Sequence, residues 1–285
     1  MIKIMITGAN GILGREMMEI LKKEKVIYRS LKSRIENLKQ NLFEIEEFKP
    51  NIFIHLGALK EKKCSTKDMF KKYYESNVTL TKKLYEKCQN LNCKFIYIST
   101  ADLYERFGEP LSENGCVSQN QKSITGGIYA WTKYLGENVI RNHNSNVIIF
   151  RSSTIYNINN PCIFSSAKFL KNKNDFNNFI FHKEQFKMNF VRVDLFAKLI
   201  NKIIMKKNNG LKIYNYTSSF WFDNYDIVNL FANKHGLKTV KKDAINLPKR
   251  FNASNLFLQN ELGNDFEDSN YLKDLELYLF SRTEG

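Results

Sequence analysis

The sequence predicts an α/β protein built on a doubly wound parallel sheet, with a smaller C-terminal lobe. Three observations predict it. A β-branched apolar run, Ile2 to Ile6, enters the glycine-bearing turn TGANGILG and then a helical pattern from Arg15. Further strand-length apolar runs follow at 25–28, 51–58, 94–98 and 146–151, with helical stretches between them. A chain of 285 residues is long enough for one such domain plus a smaller unit.

The opening turn sets the chemistry. Gly8 lets the chain leave the strand through a tight bend, Gly11 lets backbone N–H groups approach a pyrophosphate, and Gly14 lets the helix pack closely. The helix start offers unsatisfied N–H groups and a positive dipole end, so a dinucleotide is the expected ligand. After a helix to about Lys23, Lys25 to Tyr28 reads as the second strand, whose end selects the cofactor. A carboxylate there binds the adenosine ribose of NAD, whereas arginine accommodates the 2′-phosphate of NADP. Arg29 and Ser30 follow, then Lys32 and Arg34, with no acid until Glu36, so NADPH is expected over NADH, with Arg29 as its contact.

Residues 31–49 carry little strand signal, and Leu42 to Phe48 reads as an amphipathic helical turn stopped by Pro50. NIFIHLGA, 51–58, is a buried strand ending in small residues, and His55 is expected to pack at its end. Residues 66–89 form a long helical pattern containing Asn77. Lys94 to Ile98 is the next parallel strand, and it delivers Thr100, Ala101 and Asp102 to a carboxyl end, where ligands bind.

Composition bounds the rest. The chain goes directly into its first strand with no basic leader, and no apolar run approaches the roughly 20 residues that span a bilayer. A soluble cytoplasmic protein without membrane partners is expected. Five cysteines without C-x-x-C pairs suit a reducing compartment, with neither a disulfide framework nor a metal site. The net charge of +15 is spread through nearly every predicted helix rather than gathered on one, so no nucleic-acid partner is expected.

TGANGILG resembles the T-G-x-x-G-x-x-G loop of the extended short-chain dehydrogenase/reductase family, which includes nucleotide-sugar epimerases, dehydratases and 4-ketoreductases. HLGA, 55–58, is similar to that family's H-L-A-A, SNVTLT to its N-V-x-G-T helix, and Tyr129-Ala-Trp-Thr-Lys133 to its Y-x-x-x-K. The resemblance implies cofactor contacts from Gly8, Asn10, Gly11, Ile12, Leu13, Leu56, Gly57 and Ala58. It also implies that Asn77 fixes the active-site strand ends. Tyr129, Lys133 and Thr100 are the implied catalytic set. Tyr129 and Lys133 share a helix face, so the ammonium is expected to reach the cofactor ribose and lower the phenol pKa. Tyr129 then exchanges a proton with a sugar oxygen that Thr100 orients. Tyr28 and Lys32 show the same spacing, and only the order of motifs separates the two pairs.

Within the family, dehydratases carry Thr-Asp-Glu where this chain has Thr100-Ala101-Asp102, which argues against dehydration. TGANGILGREMMEIL and the compact stretch 31–50 look like 4-ketoreductases of the dTDP-4-dehydrorhamnose reductase type. A C4 epimerase with tightly held NAD stays open. The implied partner is a nucleotide-diphosphate sugar, and a homodimer stays open as well.

Asn146 to Arg151 reads as another strand, and RSSTIY is similar to the family's R-x-x-x-V-Y-G, with Asn157 in the glycine place and able to adopt a left-handed conformation. Residues 1–156 are therefore the expected dinucleotide domain, and 157–285 mainly the substrate lobe, with 189–218 returning to the first. Asp194 is the expected N-cap of the next helix. Ser153, Lys187 and Arg192, with Thr100, Ala101 and Asp102, are the expected substrate contacts, and Lys187 or Arg192 is the expected partner of the diphosphate.

Overall fold

Parallel pairing joins β1 (Ile2–Thr7) to β2 (Val26–Leu31) on one side and to β3 (Ile52–His55) on the other. Beyond β3 come β4 (Lys94–Thr100), β5 (Val147–Ser152) and β9 (Leu211–Tyr216), giving the order β2-β1-β3-β4-β5-β9. In this computed structural model the described residues are 1–32, 34–60, 67–104, 112–113, 127–141, 146–161, 180–182, 188–206, 210–234, 236, 240–242, 253–263 and 266–280. The order reverses between β1 and β3, so the crevice at their carboxyl ends is where a doubly wound sheet takes its ligand.

Helices cover both faces, because the inner strands carry apolar side chains on both faces. Ile4, Ile6, Ile98 and Phe150 face α1 (Ile12–Lys23) and α6 (Val193–Ile204). Met5, Phe53, Phe95 and Ile149 face α2 (Leu38–Phe48), α4 (Leu80–Asn90) and α5 (Gly127–Arg141). The doubly wound expectation is met.

Several boundaries differ from the sequence reading, each for a physical reason. β2 continues to Leu31, three residues past Tyr28. As an edge strand it leaves alternate side chains in solvent, so its end does not look apolar. Arg29 therefore sits inside the strand rather than at its end, with its guanidinium 4.9 Å from the centroid of the Phe48 ring. α1 begins at Ile12, not Arg15, with Gly11 as its cap. Gly8 has a φ of +72°, and a Cβ on Gly14 would collide with the Gly8 carbonyl oxygen. The first turn of α1 thus packs on the loop itself. The pattern at 66–89 resolves into α3 (Lys67–Tyr74), a π-turn over Glu75–Thr79 and α4.

The C-terminal lobe holds β6 (Thr154–Tyr156) paired with β8 (Phe190–Arg192), and β7 (Ile180–His182) paired with β10 (Val240–Lys242). Tyr156, Phe190, Phe222 and Tyr271 pack with α7 (Asn224–Lys234) and α9 (Tyr271–Phe280). α8 (Leu256–Leu262) instead puts Leu258 into the main core. Asn157 is not left-handed, since Lys49 and Asn92 are the non-glycine residues with positive φ among the described residues. Its side-chain oxygen accepts the Asn159 N–H at 2.8 Å, which closes the turn. Asp194 is not the N-cap of α6: that place is Arg192, and Asp194 follows inside the helix, paired with the Arg192 guanidinium at 2.8 Å. No helix among the described residues is long and apolar enough to cross a membrane.

Candidate active site

The carboxyl ends of β1, β3, β4 and β5 enclose a cleft of about 260 Å³. Gly8, Gly11, Ile12 and Leu13 form one wall, and Leu56 and Ala58 follow from β3. Thr100, Asp102, Tyr129 and Ser153 form the opposite side. Asn10 is exposed, and its carbonyl accepts from Arg15 at 2.7 Å. Gly57, Asn77, Ala101 and Lys133 are not among the lining residues. Arg29 and Arg192 do not line the cleft: one stacks on Phe48 and the other is held by Asp194, with Asp274 at 3.8 Å. Lys187 lies outside the described residues.

Thr100 ends β4, and its hydroxyl oxygen accepts the Asp102 N–H at 3.1 Å. That contact leaves its single proton to be donated into the cleft. Tyr129 lies in the first turn of α5, and its phenol is pushed above its ordinary range, first by burial and then by the charge of Asp102 and by Tyr73. It is protonated at neutral pH and poised to donate. Lys133 is pulled down to about 7 by burial, against the opposing effect of Glu137. Its ammonium lies over Tyr97, with Nζ 3.8 Å from the ring centroid. The expected lowering of the Tyr129 pKa by Lys133 is therefore not seen, because burial dominates.

A one-way hydrogen-bond chain fixes the strand ends. Gly57 N–H donates to Thr7 Oγ1 at 3.1 Å, and Thr7 Oγ1 donates to His55 Nδ1 at 2.7 Å. His55 Nε2 donates to Thr81 Oγ1 at 3.0 Å, and Thr81 donates to the Asn77 carbonyl at 2.8 Å. This tautomer follows because the Thr81 proton is committed. Asn77, in the π-turn, accepts from Leu59 N at 2.7 Å and donates to Thr132 Oγ1 at 3.0 Å. It thereby ties the segment after β3 to the helix carrying Tyr129.

His55 is structural, as expected, and burial, with the charge of Lys133, lowers its pKa from 6.5 to about 3. The unfolded imidazole takes a proton near pH 6.5 and the folded one only near pH 3, so this stability is full above 6.5 and is lost as pH falls through that window. Between pH 7 and pH 4 the loss amounts to roughly 3 kcal/mol. Urea unfolding at both pH values is expected to show a smaller drop for His55→Asn than for the wild type. An equal drop would remove His55 as the cause.

Sequence reasoning missed Lys60, which lines the cleft with its Nζ 5.1 Å from the centroid of the Tyr129 ring. No spacing signals a contact across 69 residues. Ser99, at the strand end whose hydroxyls the sequence places toward a ligand, also lines the cleft, and its hydroxyl is buried without a hydrogen-bond partner among the described residues. The Ser153 hydroxyl is in the same condition. Partnerless hydroxyls in a cleft wall, beside a helix N-terminus and a tightly packed glycine turn, fit a polar phosphate-bearing dinucleotide and its substrate.

No curated protein matches the sequence. Among solved structures, a dTDP-4-dehydrorhamnose reductase from Clostridium acetobutylicum is 23% identical, with 98% of each chain covered and a TM-score of 0.76. One from Bacillus anthracis, in complex with NADP, is 20% identical over 98% of each chain, with a TM-score of 0.75. A short-chain dehydrogenase/reductase superfamily protein from Agrobacterium tumefaciens with bound NAD is 18% identical, covering 98% of this chain and 97% of that one, with a TM-score of 0.78. At these identities the likeness establishes the fold. Residues 2–247 match the family described as the RmlD substrate binding domain. The chain belongs to that family, and its fold is that of the short-chain dehydrogenases/reductases.

Proposed function

We propose that the protein reduces the C4 keto group of a nucleoside-diphosphate 4-keto-6-deoxyhexose at the expense of NADPH. The observation that carries this reading is that Tyr129 faces the same cleft as the Thr100 hydroxyl and the glycine turn. The cofactor supplies a hydride to the carbonyl carbon. Thr100 holds the carbonyl oxygen by the one proton it has free, and Tyr129 gives its phenolic proton to that oxygen as negative charge develops there. The product is the C4 alcohol. Lys133 would hold the cofactor ribose through its ammonium. Asp102 and Ser153 meet the sugar, and Lys60 adds positive charge suited to a diphosphate.

Lys32 and Arg34 support NADPH. They follow directly on the observed end of β2, are exposed, and have no carboxylate among their neighbours until Glu36. They take the part first expected of Arg29.

The test mixes purified protein, NADPH and freshly generated dTDP-4-keto-6-deoxyglucose, and follows absorbance of the reduced cofactor. Stoichiometric loss is expected, with NADH at least about tenfold less efficient through the missing phosphate contacts. Conversion of a UDP- or GDP-hexose without net cofactor consumption, and none of the keto sugar, would replace this reading with an epimerase.

A further inference from the structure

Lys133 carries charge in a place where burial opposes charge. Its side chain is buried, and its Nζ is 3.8 Å from the centroid of the Tyr97 ring. Glu137, one turn further along α5, is taken up by Arg151 at 2.7 Å. Among the described residues no carboxylate reaches ion-pair distance of Lys133, so the group against its ammonium is an aromatic face.

The placement of that ring is built. Tyr97 lies on β4, fully buried, beside His55 with ring centroids 5.8 Å apart. Its hydroxyl donates to the Lys133 carbonyl oxygen at 3.3 Å. The same hydroxyl occupies the space where a side chain at position 136 would begin: a Cβ on Gly136 would collide with it and lie 2.8 Å from the Asn77 carbonyl oxygen. Gly136 thus opens a slot in α5 through which Tyr97 slides beneath the helix. One ring touches Lys133 at both ends, face to ammonium and hydroxyl to backbone.

We infer that Tyr97 is a positioning residue, whose ring face keeps the Lys133 ammonium charged and fixes where it points, with Gly136 as the opening that admits the ring. The electron-rich face attracts a desolvated cation most strongly where water is excluded, as it is here. Without it, burial, opposed by the charge of Glu137 alone, would drive Lys133 further toward the neutral amine, which cannot serve as a cationic donor. The consequence for turnover rests on the reductase reading above. The placement of the ammonium does not.

The experiment separates ring electrostatics from ring shape. Tyr97→Phe is the reference, followed by phenylalanine analogues with one, two and three ring fluorines at position 97, which progressively remove negative charge from the face at nearly constant size. Lys133 is titrated by ¹³C-lysine NMR in the cofactor-free protein, with Lys133→Arg giving the assignment. Its pKa is expected to fall with each fluorine, by about one unit across the series, and NADPH dissociation constants at pH 7 to rise in step, about tenfold overall. A flat titration across the series, with folding unchanged, overturns the proposal and leaves Tyr97 as packing. Failure of the reductase reading would show separately, as wild-type protein that titrates as expected yet consumes no NADPH with the keto sugar.

Discussion

Tyr129→Phe is expected to lower kcat by a hundredfold or more while leaving NADPH binding within a few-fold of wild type. The variant keeps the ring, so the packing beside Lys60 and the first turn of α5 survive, and it removes the one phenolic proton available in the cleft. A positioned general acid is worth about 10²–10⁴ in rate, and among the described lining residues no second phenol stands in for the half-buried Tyr129. Steady-state rates with the keto sugar, set beside NADPH fluorescence titrations, give the two numbers. Turnover within tenfold of wild type would remove Tyr129 as the proton donor. Weakened cofactor binding in parallel with rate would assign it a binding role instead.

Arg151→Met is expected to lower stability by about 3–5 kcal/mol, which for a chain of this size corresponds to a drop in Tm on the order of 10 °C. Arg151 and Glu137 are both buried, and the guanidinium meets the carboxylate through Nε at 3.1 Å and Nη2 at 2.7 Å. Nη1 continues to the Tyr104 hydroxyl at 2.7 Å, which donates to Asn215 Oδ1 at 2.7 Å. The network joins α5, β5, the end of β4 and β9. Removing the arginine strands a buried carboxylate with Arg141 at 3.8 Å as its remaining partner. The double variant Arg151→Met with Glu137→Leu is expected to recover most of the loss, because a buried pair replaced by apolar groups of similar volume costs little. If the double variant were no more stable than the single one, the uncompensated charge would not be the cause.

The parts of the site written in short sequence windows were legible. The glycine turn, the strand end at Thr100 and the Tyr129–Lys133 spacing all show in the sequence, because neighbouring residues fix them against one another. What escaped depends on distance or on partial exposure. β2 was cut short because its outer side chains meet water and Arg29 looks like surface. Lys60 reaches Tyr129, and Asn77 reaches Thr132, across stretches that no periodicity connects. The single helix expected at 66–89 hides a π-turn, whose one extra residue leaves the apolar pattern nearly unchanged. One signal was available and unread. Ala130, Lys133, Glu137 and Ile140 fall on one stripe of α5, so two charged residues stand where apolar ones belong, and both are buried in the structure. A charge on an apolar stripe announces a partner, here Arg151 for one and the Tyr97 ring for the other.

The chain of hydroxyls and imidazole from Thr7 through His55 and Thr81 to Asn77 leaves no proton unassigned. Each of the three side chains gives to one neighbour and takes from another, between the Gly57 amide at one end and the Asn77 backbone carbonyl at the other, so the direction of every link is fixed. Positions 7, 55 and 81 therefore behave as a single three-part character spread over β1, β3 and α4. Replacing Thr7 by valine would not cost one contact but would orphan the ring nitrogen beyond it and the Gly57 amide before it. A redesign of this crevice that keeps the backbone would have to exchange the three side chains together.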